Sequence, residues 1–290
     1  MPTKSEKDSA RETLIRSHEW DGIQEMDNPL PRWWLYVFYA SIAVSLLYYV
    51  LYPSIPFFHS HTTGVLDYTE RKALDGELAT ARAAQATYIH QIEAKTPGEI
   101  RADANLLNFA LAGGKAAFAV NCAPCHGAGG AGRPGFPSLA DDEWLWGGTL
   151  DAIQQTVRHG VRWQKDDATR QSEMPRFGAD AMLKPEQIGD VAQYVLSLTS
   201  RATDAAAAKR GAVVFTEQCA VCHGPNGQGN QEVGAPNLAD AVWLYGGSPN
   251  DILQQVTAAK LGVMPAWQGR LDDATIKMLT VYVHSLGGGK

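Results

Sequence analysis

Cys122-Ala123-Pro124-Cys125-His126 and Cys219-Ala220-Val221-Cys222-His223 are two copies of one pattern, C-x-x-C-H, and the rest of the chain is read outward from them. In a c-type haem attachment site the two sulfurs add across the porphyrin vinyl groups. The adjoining histidine then meets the iron from the proximal side. The chain holds 4 cysteines and the two patterns use all of them, leaving no thiol for a disulfide, a cluster or a nucleophile. A C-x-x-C pair can also be a dithiol redox site or half of a zinc site. Two pairs, each followed by His-Gly and set in matching sequence, favour two covalently attached haem c groups.

A length of 290 residues suits about two domains. The net charge of −6 gives no support for nucleic-acid binding. From Trp33 to Phe58 no side chain is charged, so the run is long enough to span a bilayer. Trp33 and Trp34 at one end, and Tyr48, Tyr49 and Tyr52 at the other, suit the two interfaces. A polar stretch of 32 residues precedes this run, which argues for a retained transmembrane helix over a cleaved signal peptide. Arg11, Arg16 and Arg32 lie before it, a mild bias for a cytoplasmic N-terminus. Haem attachment on the outer side of the inner membrane points the same way, with the haem domains periplasmic.

The sequence around each motif is duplicated. Gly114 and Phe118 match Gly211 and Phe215; Pro137-Ser138-Leu139 matches Pro236-Asn237-Leu238; Trp144-Leu145-Trp146-Gly147-Gly148 matches Trp243-Leu244-Tyr245-Gly246-Gly247. Each copy closes on an amphipathic helix, 188–198 and 276–286, in which Tyr194 answers Tyr282. The carbonyls of Pro137 and Pro236 are candidates to accept the ring N–H of His126 and His223, which would fix the tautomer of each ligand. Trp144 and Trp243 are candidates to exclude water from the haem, or simply to fill the core.

A low-spin electron carrier needs a sixth iron ligand, usually methionine or histidine. Met174 and Met264 occupy corresponding places, and each precedes a proline on a loop between helical stretches. The first copy has the longer loop, from Arg162 to Glu173. Met278 falls within the last helix and reads as core, Met182 lies just before a terminal helix, and His159 is the nearest rival ligand for the first haem. The expected axial pairs are His126 with Met174 and His223 with Met264, and the expected cofactor contacts also include Cys122, Cys125, Cys219 and Cys222. No residues suggest a catalytic role.

His18-Glu19-Trp20-Asp21-Gly22-Ile23 and Asn28-Pro29-Leu30-Pro31-Arg32-Trp33-Trp34 resemble the N-terminal signature of the CcoP/FixP family, the dihaem subunit III of cbb3-type cytochrome c oxidases. The stretches from Tyr88 to Asn108 and from Ser172 to Gly178 also resemble that family, so the resemblance covers nearly the whole chain. It implies a relay. Electrons from a soluble or membrane-tethered donor cytochrome c would pass through this chain to the monohaem subunit. From there they would reach a catalytic subunit that reduces dioxygen to water with proton pumping. The rivals are an anchored dihaem cytochrome serving a periplasmic dehydrogenase or quinol-oxidising complex, and a dihaem peroxidase.

The expected fold is all-α, with one transmembrane helix followed by two tandem class I-like cytochrome c domains. The expected order is a cytoplasmic segment (1–32), the transmembrane helix (33–58), a helical linker (59–107) and cytochrome c domains at 108–200 and 201–290. The acidic runs Asp141-Asp142-Glu143 and Asp166-Asp167 are candidate docking sites for a basic donor, or ordinary solvated loops.

Overall fold

Asp21 (φ +46°) and Gly22 (φ +84°) both adopt left-handed backbone in the computed structural model of the chain, as a two-residue hairpin turn with matched strand twist requires. The structure describes residues 7–8, 13–26 and 28–287. Part of the 1–32 segment, Arg11 included, lies outside these residues, as do 288–290. The turn joins the second and third strands of a small antiparallel sheet, β1 (Lys7–Asp8), β2 (Thr13–Trp20) and β3 (Ile23–Met26). The fold is mostly helical, and this ribbon is its one departure from the all-α expectation among the described residues. The Asp-Gly pair was its signal.

The chain divides into two units, 1–83 and 84–290. In the first, α1 (Arg32–Leu51) is apolar all round and buries none of its residues, the pattern of a helix solvated by lipid. Its 20 residues rise about 30 Å, enough to cross a hydrocarbon core. The Ser41 and Ser45 hydroxyls donate to the carbonyls of Phe38 and Ser41, so the helix satisfies its own polar groups. It stops at Leu51, short of the expected residue 58, because Tyr52 precedes Pro53 and takes extended backbone. The following loop folds back, and Val65 and Leu66 N–H donate to the Val50 and Leu51 carbonyls at 3.0 and 3.1 Å. α2 (Glu70–Ala94) follows, its sequence alternating in charge.

In the second unit, side-chain caps start most of the helices. Glu99 and Thr96 form a capping box on α3 (Pro97–Ala102), and Asp103 caps α4 (Ala104–Asn121). A single turn, α5 (Ala123–His126), carries the first C-x-x-C-H motif. Then come α6 (Leu150–His159) and α7 (Pro185–Ser197). α8 (Ala205–Gln218) leads into α9 (Ala220–His223), the turn of the second motif, and α10 (Pro249–Thr257) and α11 (Asp273–His284) complete the unit.

The repeat predicts that α4 packs on α7 and α8 on α11, each copy closing on its own last helix. The structure crosses these pairs: α4 packs on α11 and α7 on α8. Phe118 meets Tyr282 with ring centroids 5.4 Å apart, and Tyr194 meets Phe215 at 4.9 Å. The reason is the short connection from 198 to 204. Arg201 N–H donates to the Leu196 carbonyl (2.8 Å), Ser200 takes left-handed backbone, and the Gln193 side chain accepts from Thr203 N–H (2.9 Å). So short a link makes α7 and α8 antiparallel neighbours. α4 must then be closed by the helix left over, α11.

The result is two cores. One gathers Phe118, Ile153, Val157, Trp267, Ile276, Leu279 and Val283, with segments from both ends of the unit. The other gathers Phe177, Ile188, Val191, Val195, Phe215, Ile252 and Val256, from one continuous stretch. A smaller cluster of Ile92, Ile100, Leu106, Ala110 and Met278 extends the first core; Met278 is core, as expected. Close helix crossings need glycine at two positions. A β-carbon at Gly114 would strike the Met278 carbonyl and Tyr282 of α11, and one at Gly211 would strike the Asp190 carbonyl of α7.

Candidate haem-binding sites

Cys122, Cys125 and His126 are spaced three and four apart on one helical turn, which puts them on a common face; Cys219, Cys222 and His223 repeat the arrangement. Each motif begins where a longer helix ends, and Gly127 and Gly224 (φ +78° and +74°) end the turn.

His126 Nδ1 lies 2.9 Å from the Pro137 carbonyl, and His223 Nδ1 lies 3.0 Å from that of Pro236. A carbonyl only accepts, so Nδ1 carries the proton and Nε2 keeps its lone pair. Burial pushes both imidazoles below their ordinary pKa, although the proline hydrogen bonds oppose the shift. Both rings are therefore neutral at physiological pH, the form in which an imidazole can bind iron. Burial, then the neighbouring cysteine, pushes the thiols of Cys122 and Cys219 up to about 11. A dithiol redox centre needs the opposite shift.

Met174, Pro175 and Phe177 line the same cleft as Cys219, Cys222 and His223. That cleft is mostly apolar, walled by Val191, Val195, Phe215, Leu238, Trp243 and Ile252, and encloses about 1300 Å³ with its mouth included. Met264 instead packs in the core that holds Phe118, Cys122 and Ala123. Met174 thus lies beside the second motif and Met264 beside the first, each methionine near the motif of the other copy and not near its own as the repeat predicts. The same short link that pairs α7 with α8 carries the Met174 loop to the second motif.

The donor set in each place suits a c-type haem: two thiols to attach it, one oriented imidazole, one thioether and apolar walls. Trp144 packs against the same core as Cys122 and Met264, and Trp243 lines the second motif's cleft together with Cys219 and Met174. Gly148 and Gly247 give the two indoles their space, since a β-carbon at either would overlap the ring. His159 is not in either set. Its Nδ1 is 3.0 Å from Asp166, whose carboxyl that contact holds below the ordinary range. Met182 is exposed. Among the described residues no group of three or more His, Cys, Asp or Glu could hold a further metal ion.

Leu145, Trp146 and Arg162, from the first copy, also line the second motif's cleft. Arg162 was not singled out from the sequence; the extra length of the loop it begins was the available signal.

Comparison with known proteins agrees with this architecture. Residues 12–59 match the family model described as the N-terminal domain of cytochrome oxidase-cbb3, FixP. Residues 111–199 match cytochrome c, and 206–283 match cytochrome c oxidase, cbb3-type, subunit III. A cbb3-type cytochrome c oxidase subunit CcoP of Azospirillum brasilense is 52% identical over 293 residues, covering 99% of each chain. The FixPc subunit of Rhizobium leguminosarum bv. viciae is 52% identical over 272 residues, 94% of each chain. A CcoP subunit of Cereibacter sphaeroides is 46% identical over 290 residues, covering both chains completely. The chain belongs to the CcoP/FixP family, the haem c-bearing, electron-transferring subunit III of the membrane-bound cbb3-type cytochrome c oxidases.

Proposed function

We propose that this chain holds two haem c groups and conducts electrons through both, from a donor cytochrome c towards the monohaem and catalytic subunits of the oxidase. The observation that carries the reading is the convergence of two cysteines, a proline-oriented histidine and a methionine at each of two places in one unit. His126 with Met264, and His223 with Met174, would hold the two irons. The bound haem supplies reversible one-electron chemistry. The chain supplies what tunes it. Pro137 and Pro236 hold each imidazole in one tautomer. The thioethers raise the potential relative to a second imidazole. The apolar walls keep water away from the iron.

α1 anchors the chain, with the N-terminus cytoplasmic and the haem-bearing unit periplasmic. Haem attachment outside the inner membrane and the arginine bias before α1 support this orientation. A methionine beside each motif favours a relay over a peroxidase, which needs an open iron position.

The test is substitution of each methionine by histidine in the full-length protein, followed by potentiometric titration. Each variant should lower one of two midpoints and remove the methionine-to-iron charge-transfer absorbance of one haem. Mass measurement should find two haem adducts per chain. One adduct, or no change in either variant, refutes the reading.

A further inference from the structure

The loop after α6 is longer in the first copy than in the second, and it begins at the point where the two methionine segments come together. Gly160 (φ +67°) sits so close to the Met264 segment that a β-carbon would strike the Met264 carbonyl. Val161 then exchanges both backbone hydrogen bonds with Met264, N–H to carbonyl at 2.9 Å and the return bond at 3.0 Å. Arg162 takes left-handed backbone (φ +53°), uncommon outside glycine, and is held there by its N–H donating to the Arg170 carbonyl (2.8 Å).

That backbone lets the half-buried guanidinium reach two places at once. Its Nε donates to the Gly262 carbonyl at 2.7 Å and its Nη1 to the Ser172 carbonyl at 2.9 Å. Gly262 is two residues before Met264, and Ser172 two residues before Met174. One planar fork thus ties equivalent points of both methionine loops, a geometry that an arginine can make and a point-charge ammonium makes poorly. Both bonds use a charged donor, the stronger class of hydrogen bond.

We propose that Arg162 is a positioning residue that clamps both methionine loops together, so that the sixth ligand of one haem and that of the other are set by a single side chain. The inference rests on the axial assignment of Met174 and Met264 made above. A disturbance of the clamp releases both thioethers, and a change at one haem is felt at the other.

The experiment is potentiometric titration of the full-length chain, with charge-transfer absorbance followed in parallel. Met174→His and Met264→His come first; each should lower one midpoint and so label it. If neither does, the axial assignment fails and the clamp fails with it. With the midpoints labelled, Arg162→Gln should lower both and weaken the charge-transfer absorbance of both haems. Arg162→Lys keeps the positive charge but loses the planar fork, and should also shift both, by less. A shift in only one midpoint, or in none, overturns the proposal. So does an Arg162→Lys protein identical to the parent, because charge alone would then account for the Gln effect. Should Arg162→Gln not accumulate, the Arg162→Lys titration carries the reading.

Discussion

At the scale of single residues, the chain's function depends on side chains whose neighbours leave them few alternatives. His126 and His223 are neutral because they are buried, and their tautomer is set because a proline carbonyl can only accept. Phe215 is completely buried against Tyr194 and the walls of the second cleft. Phe215→Ala should destabilise the protein by about 3–5 kcal/mol, measured by chemical denaturation. The loss should be accompanied by greater solvent access to the haem bound through Cys219 and Cys222. The two C-x-x-C-H motifs, the proline carbonyls and the methionine candidates were all legible from sequence, because each is a local pattern with a chemical reason. Arg162 was not. Its role depends on two carbonyls, at Gly262 and Ser172, that stand 100 and 10 residues away.

At the scale of elements, the helices were legible and their partners were not. Periodicity, the Thr149 and Ser248 caps and the Pro-Glu-Gln start of α7 announce where the helices lie. α1 was legible as a membrane helix, though its end was set by Pro53 rather than by hydrophobicity alone. The hairpin turn at Asp21-Gly22 is hard to see in the sequence because the surrounding residues lack a strong alternation of apolar and polar side chains. Glycine placement reports the helix crossings. Gly211→Val should separate α8 from α7, because its side chain would strike the Asp190–Val191 backbone of α7. Overpacking of this kind costs about 1–3 kcal/mol. A fall in the thermal midpoint, with the second haem's spectrum perturbed more than the first's, would check it. Gly76 on α2 has open space around it, so Gly76→Ala should leave both measurements unchanged or slightly improved.

At the scale of the haem-bearing unit, residues 84–290, the two copies are interlocked. The core around Phe118 is built from both ends of the unit, and the core around Phe215 from the stretch between. Expression of 108–200 or 201–290 alone should therefore give a chain that does not close. Size-exclusion and Soret circular dichroism should show native-like behaviour only when the halves are produced together. Glu143 and Asp240 line one cleft and share a hydrogen bond, which ties the end of the first copy's acidic run to the second copy. Burial, the Asp240 bond and the charges of Asp240, Asp141 and Asp142 raise the Glu143 pKa. A raised folded-state pKa contributes stability below the unfolded value, about 4.3 for glutamate, and that stability is lost as pH rises through the folded value. Arg133 is the charged group of opposite sign along the same cleft. Glu143→Gln keeps a donor to Asp240 at every pH. The variant should flatten the decline of thermal midpoint with rising pH that the parent shows above about pH 4.

The sequence by itself determined the covalent chemistry, the duplication and the membrane anchor, because each is written in a run of neighbouring residues whose meaning does not depend on what lies across the fold. Read within each copy it pairs each methionine with its own motif, but it could not decide which motif each methionine lies beside in the fold. The two copies offer equivalent helices and equivalent Met-Pro loops, so either pairing satisfies every local rule. Only the tertiary structure breaks the tie. The link from 198 to 204 is too short to let α8 leave α7, and that constraint sends Met174 to the second motif and α11, with Met264, to the first.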